Sequence, residues 1–153
     1  MKAQLLDEQQ GTRIFVVVFD KGDEAKSGLT SFAKEQRIAG AQLTAVGGFS
    51  RAVLGYFDRE RKEYLKNKVD EQVEVLSLIG DVALTPKGEP EVHAHVVVGR
   101  RDGTTLGGHL LEAEVWPTLE VVVTDSPRHL QKTHDAETGL ALINPQVAVR
   151  GQA

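Results

Sequence analysis

Hydrophobic residues follow two different periods along this chain, and the change of period separates one helix from a series of strands. Residues 12–20 (TRIFVVVFD) are β-branched and aromatic, which predicts a strand. Apolar residues then recur at the spacing of a helix face: Leu29, Phe32 and Ala33. The pattern predicts a helix over 23–37, with Asp23 as its N-cap. Gly28 costs this helix about 1 kcal/mol relative to alanine, so the helix must be held by packing.

From residue 41 onward the hydrophobic period is two, which is typical of strands. Glycine- and proline-rich turn signals divide the run. The predicted strands are 41–46, 51–58, 72–79, 82–85, 92–98, 104–111 and 118–124. Residues 63–67 form a short, exposed, charged piece between the second and third of them. The polar tail from residue 126 contains an apolar patch, 140–143, which could dock as an edge strand or lie across a neighbouring chain.

Two of these strands are apolar on both faces. In 119–123 (LEVVV) and in 96–98 (VVV) neither set of alternate positions is polar. Strands of this kind are covered on both sides, but the single predicted helix can cover only one face of the sheet. We therefore expect a homo-oligomer in which the second face is buried against other copies of this chain.

Length and composition indicate one ordinary globular domain. The chain has 153 residues, of which 41% are hydrophobic and 26% are charged. We expect residues 1–153 to form a single domain, with a core over about 12–125 and an extension over 126–153. The polar start lacks the apolar segment of a signal peptide, and no apolar run approaches the roughly 20 residues that cross a bilayer. We therefore expect a cytoplasmic protein with no membrane partner.

Charge and cysteine content narrow the chemistry. The absence of cysteine excludes disulfides and thiolate metal sites, so any metal must be bound by His, Asp or Glu. The formal net charge is −4 and the sequence pI is about 5.7. The chain therefore has no overall basic excess with which to neutralise DNA phosphates, and its composition disfavours DNA as a partner.

Candidate chemistry is concentrated in 92–111 (VHAHVVVGRRDGTTLGGHLL), which holds three of the five histidines. His93 and His95 are two residues apart, so on a strand they point to the same face. His109 follows a turn and is expected on the adjacent antiparallel strand. Three imidazoles on one face would provide half of the coordination shell of Zn²⁺ or another divalent metal and leave positions open for a ligand. The alternative is that the histidines are structural and hydrogen-bonded at a subunit contact.

The strand register sets a condition on this site. A simple two-residue turn at Asp102-Gly103 would pair His109 with Val96 and place it on the opposite face. One extra residue, in a three-residue loop or a bulge, would restore the shared face. Gly107-Gly108 and the opposite Gly99 are natural places for such a bulge. If the three histidines share one face, this hairpin must therefore contain an extra residue, in its loop or at a β-bulge.

The residues that compose these elements resemble a known family, the plants-and-prokaryotes conserved (PPC) domain, also called domain of unknown function 296. The resemblance covers roughly residues 13–123, and the combination is more specific than any one piece. The segments that carry it are 29–33 (LTSFA), 45–49 (AVGGF), 52–57 (AVLGYF), 74–80 (EVLSLIG), 93–95 (HAH) and 107–110 (GGHL).

The resemblance implies an α+β domain with a largely antiparallel sheet and one packed helix, assembled as a homotrimer. It further implies that His93, His95 and His109 gather near a subunit boundary, where some prokaryotic members hold a metal. Arg13, which matches an arginine at the start of the family's first strand, is implied as a further ligand-binding residue. In plants the domain is joined to an AT-hook that binds DNA, and this chain has no Arg-Gly-Arg-Pro core of such a hook.

Three functions remain open from the sequence. The first is a trimeric domain that binds a divalent metal or a small ligand through its three clustered histidines, or an enzyme that uses them, with no substrate or reaction indicated. The second is a DNA-associated regulatory protein, as the family's name for some members suggests. The third is an assembly module whose histidines are structural. Metal content separates the first from the third, and a gel shift at low salt tests the second.

Overall fold

The computed structural model describes residues 1–147 and contains one α-helix and nine β-strands in that range. In chain order the elements are β1 (Lys2–Gln9), β2 (Thr12–Phe19), α1 (Ala25–Glu35), β3 (Gly40–Asp58), β4 (Glu63–Val69), β5 (Val73–Leu84), β6 (Pro90–Gly99), β7 (Thr105–Asp125), β8 (Lys132–His134) and β9 (Ala141–Ile143). The expected α+β class, a mostly antiparallel sheet with a single packed helix, is confirmed.

Seven strands form one sheet, in the order β1-β2-β7-β6-β5-β3-β4, and all their pairings are antiparallel. Strand β7 also pairs with β3, so β7, β6, β5 and β3 form a closed ring. Closure removes two sheet edges that would otherwise expose unpaired backbone groups. The remaining two strands, β8 and β9, pair with each other in a separate small sheet.

Three predicted strand breaks are wrong, and at two of them the glycines taken as strand ends lie inside long strands. Residues 41–46 and 51–58 belong to one strand, β3, and 72–79 and 82–85 belong to β5. A Cβ at Gly47 would lie 2.3 Å from the Thr118 carbonyl oxygen, so this residue permits a close backbone approach at a β-bulge. The predicted strands 104–111 and 118–124 are likewise the two ends of β7.

Three other segments also differ from the expectation. Strand β1 was not predicted, because all eight of its residues are exposed and it has no buried face to impose a period of two on the sequence. The charged piece at 63–67 is part of β4, whose end residue Val69 is buried. The apolar patch at 140–143 does not join the edge of the main sheet; its residues Ala141–Ile143 form β9 and pair with β8.

The N-cap of α1 is Glu24 and not Asp23. Glu24 accepts hydrogen bonds from the backbone N–H groups of Ser27 at 2.6 Å and Lys26 at 3.4 Å, and from that of Ala113 on β7 at 2.9 Å. Asp23 instead pairs with the N-terminal amine at 2.8 Å. The longer Glu side chain reaches both the helix terminus and the sheet, which a cap chosen from local preference alone would not predict.

The core lies between the helix and the inner face of the sheet. Leu29, Phe32 and Ala33 are buried there as the helical spacing predicted, and Phe32 meets Phe15 of β2 edge to face at 5.4 Å between ring centroids. The outward positions of the two-faced strands remain exposed, among them Val97 and Val122. Within the described chain, therefore, nothing covers the second apolar face.

Candidate metal centre

The three histidines of the hairpin lie on one face and in one cluster. His95 of β6 is paired directly with His109 of β7, and His93 lies two residues before His95 on the same strand. The ring centroids of the three imidazoles are 5.2 to 5.4 Å apart. One nitrogen from each ring lies within 4.8 Å of the other two.

The irregularity that this arrangement requires is in the loop between β6 and β7. The Arg100 N–H donates to the Thr104 carbonyl at 2.8 Å, which leaves Arg101, Asp102 and Gly103 as a three-residue loop. Gly103 has a φ of +83°, a conformation that favours glycine. The three-residue loop is therefore confirmed as the source of the shared face. No bulge interrupts the β6–β7 pairing at Gly107-Gly108, which was the other expected place.

His109 is the most buried member of the cluster. Its side chain stacks on the Tyr64 ring of β4 with 4.7 Å between centroids, and only 8% of the residue is exposed. Burial, followed by the nearby Lys26 ammonium, lowers the pKa of His109 to about 4. The imidazole is therefore neutral near pH 7. Its buried Nδ1 has no hydrogen-bond partner among the described residues.

The other two histidines have different surroundings. Burial, followed by the proximity of His93, lowers the pKa of His95, although His95 keeps an exposed edge. The Nδ1 of His93 lies 3.2 Å from the Oδ2 of Asp81 on β5, the residue directly opposite it across the strand pair. The second oxygen of Asp81, Oδ1, is buried without a partner in the described structure.

Asp81 is a residue of the candidate site that sequence reasoning does not identify. The Gly80-Asp81 turn signal predicts the end of a strand, whereas Asp81 lies inside β5. A carboxylate that holds one nitrogen of an imidazole fixes the tautomer and orients the other nitrogen toward a metal. The signal that could have found Asp81 is the β5–β6 register, which places it opposite His93.

The donor set fits a divalent metal. A tetrahedral ion with Zn–N bonds of about 2.0–2.1 Å holds its nitrogens about 3.3 Å apart. From separations of at most 4.8 Å, each nitrogen needs to move inward by no more than about 1 Å, which is within the range of small ring rotations. The buried, unpartnered Nδ1 of His109 is also the kind of atom that a ligand or ion commonly satisfies.

Arg13 is not among the residues brought together here. Its guanidinium forms an ion pair with the nearly buried Asp125, with Nε to Oδ2 at 2.8 Å, and donates to the Gln36 carbonyl at 2.9 Å at the C-terminal end of α1. These contacts connect β2, β7 and the helix. The role of Arg13 in ligand binding stays a prediction.

The fold and the site together define a class of protein: a single-helix antiparallel β domain whose central hairpin presents three imidazoles as a candidate metal centre. The sequence profile of the Plants and Prokaryotes Conserved (PCC) domain matches residues 6–127. The chain belongs to this family, which confirms the resemblance to the PPC domain.

In the described part of the chain, no helix is long and apolar enough to span a membrane.

Solved structures of similar proteins agree with this assignment. A PPC protein of Pyrococcus horikoshii has a TM-score of 0.81 and 32% identity over 89% of this chain and 94% of that one. A metal-containing protein of Archaeoglobus fulgidus has a TM-score of 0.80 and 34% identity, covering 94% of this chain and 99% of that one. A protein of Ralstonia eutropha JMP134 named as a candidate DNA-binding protein has a TM-score of 0.79 and 28% identity, covering 85% and 90%.

A relative of known sequence is much longer than this chain. The bifunctional protein GlmU of Synechococcus sp. (strain JA-3-3Ab) is 35% identical over 130 residues, which make up 83% of this chain and 20% of that protein. The chain therefore spans about a fifth of the length of this relative.

Proposed function

We propose that this protein is a homotrimeric PPC domain that binds a divalent metal, with Zn²⁺ the best candidate, through His93, His95 and His109 near the boundary between subunits. The observation that carries the proposal is the convergence of three imidazole nitrogens within 4.8 Å of one another. Three neutral imidazoles suit Zn²⁺, and the lowered pKa values of His95 and His109 keep these two unprotonated near pH 7.

Asp81 supports the metal proposal through His93. Because its Oδ2 contacts Nδ1 of His93, the other ring nitrogen, Nε2, is the one that would bind the ion. The similarity to a metal-containing protein of Archaeoglobus fulgidus, at 34% identity over nearly all of both chains, is in agreement. A bound divalent ion would supply a Lewis-acid centre with coordination positions left open for a ligand.

The trimer is proposed from the uncovered face of the sheet. Val46 and Val122 are 56% and 43% exposed, and both lie on outward positions of neighbouring strands. Contiguous exposed apolar residues commonly mark an interface between subunits. Light scattering should give three times the mass of the chain at micromolar concentration, and a monomer would remove this part of the proposal.

Elemental analysis tests the metal. Purified protein loaded with Zn²⁺ and then dialysed should retain one ion per chain, and His109→Ala should retain much less. His134→Ala is the matched control, because His134 is exposed and outside the cluster. Equal metal content in both variants would contradict the assignment, and no metal in the wild type would favour structural histidines instead.

DNA binding is the second candidate function, because the similar protein of Ralstonia eutropha is named for it. Binding through phosphates is strongest at low salt, so a gel shift at about 50 mM salt is the most sensitive test. The net charge of −4 predicts no shift. A salt-dependent shift with this chain would contradict that expectation and support the DNA-associated function.

A further inference from the structure

A cavity of about 380 Å³ opens beside the histidine cluster, on the side of His93 and His109. Its size is near the lower end of the range of small-molecule sites, about 300–1,000 Å³. Its polar lining includes Lys26, Tyr64 and Lys132, here called the charged wall. Its apolar lining includes residues 140–143 of the C-terminal extension, here called the aliphatic wall. The cavity thus combines a charged wall with an aliphatic one.

The charged wall contains a cation that is available to a ligand. Lys26 has no ion-pair partner among residues 1–147, whereas Lys132 is buried and held by Glu91, with Nζ to Oε2 at 2.7 Å. The Tyr64 hydroxyl, which lines the same cavity, makes no hydrogen bond to another described residue, and a phenolic O–H can act as a donor. Lys26 and Tyr64 therefore offer donors to an incoming group.

The aliphatic wall is incompletely covered. Leu142 and Ile143 of β9 keep 44% and 38% exposure although they border the cavity. A ligand with a hydrocarbon part would remove some of this apolar surface from water. The small β8–β9 sheet that carries this wall is attached to the domain by buried Lys132 and by the pairing of Gln131 with Leu84.

From these features we propose that the cavity binds a small organic anion, a carboxylate with an aliphatic group. Its carboxylate would lie between Lys26 and the open side of the three-histidine site, and its aliphatic group against 140–143. The inference rests on the proposed metal function, because the two lysines are balanced by two carboxylates, Asp81 and Glu91. The net positive charge of the loaded site therefore comes from the metal, and unpaired Lys26 supplies the direct charge-assisted bond to the carboxylate.

Isovalerate and its neutral analogue isovaleramide are matched probes, and calorimetry on zinc-loaded protein measures their affinities. We expect isovalerate to bind about tenfold more tightly than isovaleramide, the effect of one charge-assisted hydrogen bond. Lys26→Met should lower the affinity for isovalerate by about the same factor, whereas the affinity of Lys26→Arg should stay within about twofold of the wild type. Leu142→Ser should lower the affinity for both isovalerate and isovaleramide. Zinc content, measured on the same samples, should be unchanged in all three variants.

The possible failures can be told apart. A wild type without zinc overturns the proposed function and removes the basis of this inference. Zinc at full content with no isovalerate binding at about 50 mM overturns the inference alone. Equal affinity for the acid and the amide, or no effect of Lys26→Met, also overturns it. A change in oligomeric mass in Leu142→Ser with unchanged isovalerate affinity would make this wall a subunit contact instead.

Discussion

Replacing Gly28 by alanine sets helix propensity against packing. Alanine is favoured over glycine in a helix by about 1 kcal/mol, so propensity alone predicts a more stable protein. The structure predicts the opposite sign. A Cβ at this position would lie 2.4 Å from Cε1 of Phe19 and 3.2 Å from its Cζ. Phe19 is itself only 1% exposed, so its ring is held in the close-packed core and can move only by shifting its neighbours.

The net effect follows from the two magnitudes. Overpacking a tight core costs about 1–3 kcal/mol, and a contact of 2.4 Å falls in the upper part of that range. After the gain in propensity, we expect Gly28→Ala to lower the free energy of unfolding by about 1–2 kcal/mol. For a chain of this size that is a fall in Tm of roughly 2–8 °C.

Urea unfolding followed by circular dichroism measures the effect, at fixed protein and metal concentration. Ser31→Ala is the control, because Ser31 is on the exposed face of the same helix and should change stability by only a few tenths of a kcal/mol. Phe19→Leu in the Gly28→Ala background should recover part of the loss by making room. A Gly28→Ala protein more stable than the wild type would refute the packing argument.

Three further predictions concern the helix cap and the metal. Glu24→Gln should cost about 1–3 kcal/mol by thermal melting, because it weakens the N-cap and the bond to the Ala113 N–H. Burial raises the pKa of Glu24, but its hydrogen bonds outweigh burial and lower the pKa below the ordinary 4.5. The stabilisation is therefore present above that value and lost as the pH falls below it, so Glu24→Gln should flatten the acid limb of a stability curve between about pH 5 and pH 2. Zinc at about 100 times its Kd should raise Tm by about 5–10 °C, a gain that EDTA reverses and that His109→Ala never shows. Asp81→Asn should weaken zinc binding about 10–100-fold by releasing His93, and an unchanged affinity in a competition titration would remove Asp81 from the site.

The sequence predicts those parts of the fold that have a local period. The strand at 12–20 and the buried helix face with Phe32 are in place, because each has one buried side that leaves a periodic trace in the residue order. The shared face of the three histidines follows from parity, since side chains alternate along a strand and one loop residue decides which face His109 takes. None of these inferences needs knowledge of a distant segment.

The features that sequence reasoning missed depend on distant partners. Strand β1 is held by pairing with β2 while all its side chains face water, so it has no buried period. The Glu24 cap is selected because Ala113, far along the chain, offers it a second donor. The closure of the sheet through β3 and β7 likewise depends on residues more than 60 positions apart, such as Arg51 and Glu114.

Gly80 shows how such a distant contact determines the site. In isolation Gly80-Asp81 is a turn signal, but a Cβ at Gly80 would lie 2.3 Å from the His93 carbonyl oxygen and 2.9 Å from Ala94 Cα. The glycine thus lets β5 approach β6 closely, directly beside the Asp81–His93 pair. Gly80→Ala should therefore lower both stability and zinc affinity, whereas Gly28→Ala, whose Cβ would meet Phe19 and none of the histidines, should lower stability alone. Equal zinc affinities in the two variants, measured below their unfolding temperatures, would show that the backbone spacing of β5 and β6 does not position the histidines.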